Sequence, residues 1–123
     1  MYAEFLRYNG LAPMVVSTTR DALKIARQAD IIVTGILLDG PMDGVGLVSR
    51  LRHDEGTTQT PIIVLTACAW PSDRQRAEHA GCDVFLSKPC LPTDLLREMR
   101  RLLSAKMTYR AGVRPTGSSS AAS

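Results

Sequence analysis

The chain has 123 residues and a mass of 13.4 kDa, room for one domain of ordinary size. Hydrophobic residues make up 45% and charged residues 22%, which excludes the disordered and collagenous classes, and the apolar runs are strand-sized, well short of the about 20 residues of a membrane-spanning helix. The formal net charge of +3, from 15 basic and 12 acidic residues, points to nucleic acid only if it is gathered into a patch.

Periodicity alternates amphipathic helical stretches with short β-branched runs, the pattern of a parallel sheet covered by helices. Residues 1–9 carry Tyr2, Phe5, Leu6 and Asn9 at helical spacing, and Gly10 supplies the left-handed residue that ends a helix. Residues 14–17 read as a first strand. Thr18 or Thr19 caps a helix to about Ala29, with Ala22, Leu23, Ala26 and Ala29 on its buried side. Residues 31–34 form the second strand. The glycine-rich stretch 35–46 then turns at the sheet's edge before a helix over 45–53, capped by Asp43, with Val45, Leu47, Val48 and Leu51 facing inward.

Pro61 opens the strongest strand, residues 62–66, whose unbroken apolar run predicts burial on both faces. Ser72 and Gln75 predict a capping box for a helix that ends near Ala80, before Gly81. Residues 84–87 are the last strand. Pro92 starts the last helix, where Leu95, Leu96, Met99, Leu102 and Leu103 make a stripe wide enough to close over a sheet. The expectation is an α/β fold of four strands and five helices occupying residues 1–106. Residues 107–123 are expected to be a flexible, disordered tail, since 116–123 hold only Gly, Ser, Thr and Ala.

Neither end shows the charged, apolar, small-residue order of a secretory signal, so the expected compartment is the cytoplasm, with Cys68, Cys82 and Cys90 as free thiols. The cysteines lack CxxC spacing, and His53 and His79 stand alone, so no metal site is expected. Positive charge concentrates in 97–114, where Arg97, Arg100, Arg101, Lys106, Arg110 and Arg114 face Glu98 alone.

Open parallel sheets bind ligands at the carboxyl ends of their strands. Gly35, Thr66 and Lys88 follow three of the apolar runs there, and Thr66 with Lys88 offers a hydroxyl and an ammonium to an anion. Leu65-Thr66-Ala67 at a strand end, Lys88-Pro89 twenty-two residues on, Phe85 three residues before Lys88, and the Met42-Asp43-Gly44 turn entering a helix form a specific set. On these motifs the chain resembles the receiver domain of bacterial two-component response regulators over roughly residues 1–103.

The resemblance implies a three-layer αβα flavodoxin-like receiver fold, with sheet order 2-1-3-4-5. It further implies a phosphoryl switch. In the family, an aspartate ending the third strand takes a phosphoryl group from a kinase phosphohistidine, and Mg²⁺ is held by that aspartate with an acidic pair after the first strand. Thr66 and Lys88 would be the phosphoryl contacts, Phe85 the aromatic that reorients, and Lys88-Pro89 a cis peptide. The partner surface implied is roughly 72–103.

Two departures strike this chemistry. The phosphoacceptor position is Gly35, which has no nucleophile. The chain also begins within the family's first helix, so its first strand and acidic pair are expected to be missing, and with them the Mg²⁺ site, leaving no cofactor. The open sheet edge then either closes by pairing residues 14–17 with 31–34 or recruits a strand from another chain, a homo-oligomer included. Alternatively, Met1 is an internal methionine of a longer protein.

The expected function is a degenerate receiver in phosphorelay signalling, not an enzyme, acting through protein contacts with a histidine kinase or another signalling protein and without aspartate phosphorylation. An alternative uses Asp39 or Asp43 as acceptor. Another is nucleic-acid binding through 97–114, set back because its helix needs one face for the core. Trp70, before Pro71, is read as a cover for the preceding strand's end or an exposed partner anchor.

Overall fold

The computed structural model describes residues 2–36, 42–67 and 70–110, with side chains described to residue 105. Helix α1 (Tyr2–Tyr8) leads through an irregular run to α2 (Thr19–Ile25) and a 3-10 turn (Ala26–Gln28). Strand β1 (Ile32–Thr34), α3 (Gly44–Arg52), β2 (Ile62–Thr66), α4 (Pro71–Ala80), β3 (Val84–Ser87) and α5 (Pro92–Arg110) follow. The three strands are parallel in the order β1-β2-β3. The layered α/β architecture with a parallel sheet, expected from the alternation of helices and strands, is therefore present.

Local signals set most boundaries. The Thr18 hydroxyl accepts from the Asp21 N–H and caps α2, and Asp43 caps α3 through the Gly46 N–H. Gly10 (φ 89°) and Gly81 (φ 116°) end α1 and α4 in the left-handed region that side chains disfavour. The Ser72–Gln75 capping box is not formed. Helix α4 starts at Pro71 with Trp70 as its uncapped N-terminal neighbour, because proline's fixed φ suits the first helical position and needs no N–H there.

Strand β2 is buried at all five positions, and its alternation sends side chains into two cores. Ile62 and Val64 join Leu47, Val48, Leu51, Ala77 and Phe85 under α2, α3 and α4. Ile63 and Leu65 join Leu6, Leu95, Leu96 and Met99 under α1 and α5. Helices thus cover both faces of the sheet, as a continuous apolar strand requires.

One expectation of the strand pattern is corrected: residues 14–17 are not a strand, so among the described residues the sheet has three strands and not four. A strand needs a ladder, and between this run and β1 lies a cavity of about 650 Å³ lined by Ala22, Leu47, Leu51 and Met99 among others. Helix α5 runs to Arg110, and residues 111–123 of the segment expected as a tail lie outside the described residues. No helix among the described residues is long and apolar enough to cross a membrane.

Cys82 is buried, and desolvation by its apolar surroundings pushes its thiol up to about 11. Native protein at pH 8 is therefore expected to leave Cys82 unalkylated by iodoacetamide, with full modification in denaturant. Mass spectrometry of digests reads this directly.

Candidate functional site

Parallel register brings the carboxyl ends of all three strands to one edge. Thr34 lies opposite Val64, and Thr66 opposite Ser87. The Lys88 N–H donates to the Thr66 carbonyl at 2.9 Å, extending the ladder by one residue. Thr66 is buried, whereas Ser87, Lys88 and Pro89 are exposed, and the Lys88–Pro89 peptide is cis. Lys88 makes no ion pair with the described residues.

Gly35 continues β1 at the same edge. A Cβ built on it would meet the Leu65 carbonyl at 3.5 Å, an ordinary contact, so the position has room for a side chain. Its neighbour across the turn does not. A Cβ on Gly44 would fall onto the Gly35 carbonyl, and the Gly44 N–H donates to the Ile36 carbonyl at 2.7 Å. This close approach demands glycine at the start of α3.

Asp43 is engaged on two sides. Its carboxylate accepts from the Gly46 N–H at 2.9 Å and pairs with Arg76 of α4 at 3.0 Å. Burial pushes its carboxyl up, but the Gly46 N–H and the Arg76 guanidinium outweigh this and leave it below the usual carboxylate range. Asp39 lies outside the described residues.

A carboxyl depressed on folding contributes stability above its unfolded pKa of about 3.9, and that contribution is lost as pH falls through the lower folded value. Asp43→Asn keeps the capping oxygen and is expected to abolish this pH dependence. Asp43→Ala is expected to cost about 1 kcal/mol through loss of the cap. Urea midpoints of wild type and both variants between pH 2.5 and 6 test the pair.

Phe85 is buried under α4 rather than turned to solvent. Arg74 holds it there: the guanidinium carbon sits 5.4 Å from the ring centroid, and Nη2 donates to the Phe85 carbonyl at 3.2 Å. Arg74 and Arg76 are the residues that sequence reasoning missed. Both act from α4 on other elements, a pairing that no local spacing announces. On α5, Arg97 pairs with Asp94 and Arg101 with Glu98, so part of the basic segment is neutralised within its own helix.

Magnesium requires oxygen donors in near-octahedral array, carboxylates among them. At this edge the described residues offer the Thr34 and Thr66 hydroxyls, backbone carbonyls and the Lys88 ammonium, with the Asp43 carboxylate committed elsewhere. This donor set does not fit the ion. No cluster of three or more His, Cys, Asp or Glu that could hold a metal occurs among the described residues.

Comparison with known proteins agrees with the geometry. A family model described as the response regulator receiver domain matches residues 1–100. The chain is 27% identical over 118 residues to a probable transcriptional regulator, ycf29, of Pyropia yezoensis, covering 94% of this chain and 53% of that protein. It is 28% identical over 91 residues to the polar-differentiation response regulator DivK of Brucella ovis, covering 72% of this chain and 73% of the other. The chain spans about half or less of the length of the first curated relatives it matches. Among solved structures, the receiver domain of a signal transduction histidine kinase from Syntrophus aciditrophicus superposes with a TM-score of 0.74 at 29% identity, covering 98% of this chain and 87% of that one.

Proposed function

The chain belongs to the response regulator receiver domain family of two-component signalling, and we propose that within it this protein works through protein contacts, without phosphorylation of an aspartate and without Mg²⁺. The observation that carries this reading is Gly35. It stands at the strand end where the family resemblance places the acceptor, at the same sheet edge as the ends of the strands that lead to Thr66 and Lys88, in a position that has room for a side chain and holds none. An acyl phosphate needs a carboxylate in near-attack placement, and Asp43 is engaged as a helix cap. Thr66 and Lys88 are then remnants of a phosphoryl site.

The contact surface proposed is the face formed by α4, β3 and α5. A cleft of about 640 Å³ opens there between Arg74, Phe85, Pro89, Cys90 and Asp94. Trp70 and Leu91, 72% and 65% exposed, stand at the N-terminal ends of α4 and α5 and supply the apolar anchors that protein partners engage. The partner class is a histidine kinase or another protein of the same signalling systems.

The test is intact mass before and after incubation with acetyl phosphate and Mg²⁺. The expected result is no added phosphoryl group. An adduct overturns the reading, and loss of that adduct in Asp39→Asn or Asp43→Asn identifies the substitute acceptor.

A further inference from the structure

Helix α4 is attached to the molecule by different kinds of contact along its two halves. The C-terminal half carries the apolar anchors, Ala77, which is fully buried, and Ala80, which packs partly buried against the same core. Gly81 follows with φ 116°, and its carbonyl accepts from Nε of Arg52 at 2.8 Å. Residues 70–76 bury nothing, since all are exposed except the half-buried Asp73. Two guanidinium groups tie this half to other elements. Arg74 reaches β3, with Nη2 on the Phe85 carbonyl and its guanidinium over the Phe85 ring, and Arg76 reaches the Asp43 carboxylate at the start of α3.

Each guanidinium also has a carboxylate on its own helix. Arg76 Nη1 lies 3.1 Å from Asp73, one turn back, while its Nη2 lies 3.0 Å from Asp43. Arg74 Nε lies 3.7 Å from Glu78, one turn on. Moving this half of the helix outward therefore strands no charge, because Arg76 keeps Asp73 and Arg74 keeps Glu78 at spacings that a helix holds by itself. Both arginine side chains are half-exposed, where ion pairs and cation–π contacts are weak and salt screens them. A half-helix without a buried side chain, held by contacts of this kind, sits at the low end of local stability.

We propose that residues 70–76 form a flap, latched on β3 and α3 by Arg74 and Arg76 and hinged ahead of Ala77, which opens locally and uncovers Phe85 while the rest of the fold stays closed. Release gives up the contacts to Phe85 and Asp43 and leaves each arginine with the carboxylate on α4. The cleft of about 640 Å³ that Arg74 and Phe85 line widens on that side. The device lies within α4 and its two latches, and it does not depend on which partner the face meets or on how the Gly35 edge is used.

The experiment follows amide hydrogen exchange of the full chain, residue by residue, at about 0.05 M and about 1 M sodium chloride. The expected result is protection at residues 73–76 at least about tenfold below that at 62–65, and a further loss of about two- to fivefold at 73–76 in high salt with 62–65 unchanged. Asp43→Asn, which keeps the α3 cap and removes the charge facing Arg76, is expected to lower protection at 73–76 by about the same factor, although α4 itself is unaltered. Arg74→Gln is expected to do likewise. In the chain labelled with 4-fluorophenylalanine it also raises the solvent isotope shift of the Phe85 fluorine and leaves that of Phe5, the other phenylalanine, unchanged. Simple fraying of a helix end is insensitive to a side chain on α3. Unchanged protection at 73–76 in Asp43→Asn, or at high salt in the wild-type chain, therefore overturns the proposal. So does equal protection at 73–76 and 62–65, or a proportional loss at 62–65 in the variants, either of which means that α4 opens only with the whole domain. An unchanged Phe85 fluorine in Arg74→Gln overturns it as well.

Discussion

Arg52→Ala is expected to lower unfolding free energy by about 2–4 kcal/mol, a large fraction of the stability of a domain this size. The Arg52 side chain is only 18% exposed and serves five acceptors at the amino-terminal end of the sheet. Nε donates to the Gly81 carbonyl at 2.8 Å, Nη1 to the carbonyls of Thr57, Thr58 and Thr60, and Nη2 to Asp83 at 2.8 Å. The same Asp83 oxygen accepts from the Ile62 N–H at 2.8 Å, so the pair ties the end of α3, the start of β2 and the entry to β3 together. Truncation leaves these carbonyls and the aspartate without their donor in partly buried surroundings. Arg52→Lys is expected to recover little, because a single ammonium cannot reproduce the planar fork. Urea denaturation of both variants, with a cycle through Asp83→Asn, measures the coupling. A loss below about 1 kcal/mol for Arg52→Ala would show that water replaces the fork.

Ile63→Ala is expected to cost about 2–5 kcal/mol by the combined loss of transfer free energy and creation of a cavity. Ile63 is fully buried, on the middle strand, among Leu6, Leu95, Leu96 and Met99. Val33→Ala, its register neighbour on β1, is expected to stay within about 0.5 kcal/mol, because Val33 is 37% exposed at the sheet's edge. The contrast is diagnostic. Equal effects at both positions would mean that β1 is covered in solution by something beyond the described residues. Thermal and urea unfolding of the two variants, side by side, decide this.

The candidate site could be read from the chain because its parts lie at strand ends, where a parallel sheet brings distant residues to one edge. Thr66 and Lys88, twenty-two positions apart, are joined through the Lys88 N–H and the Thr66 carbonyl. Gly35 and the Asp43 cap were visible for the same reason, since strand ends and helix caps are local signals. The clamp of Arg74 on Phe85 and the pair between Arg76 and Asp43 were not. Their partners are fixed by how α4 lies across the sheet and α3, and an arginine on an exposed-looking helix carries no mark of where its guanidinium will land.

The same division runs through the whole fold. Apolar periodicity and caps were enough to place α1, α3, β2, β3 and the start of α5, and to show that β2 is buried on both faces, because these features depend on neighbours within a few residues. The family motifs at Gly35, Thr66, Phe85 and Lys88-Pro89 were likewise present in the chain itself. Residues 14–17 have the composition of a strand but form none, since strand formation is a property of two backbones and the place beside them is a cavity. Arg52 looks in the chain like one more basic residue at the end of α3. It becomes a structural centre only when the packing of helices on the sheet brings Gly81, Asp83 and the 57–60 turn within reach of one guanidinium.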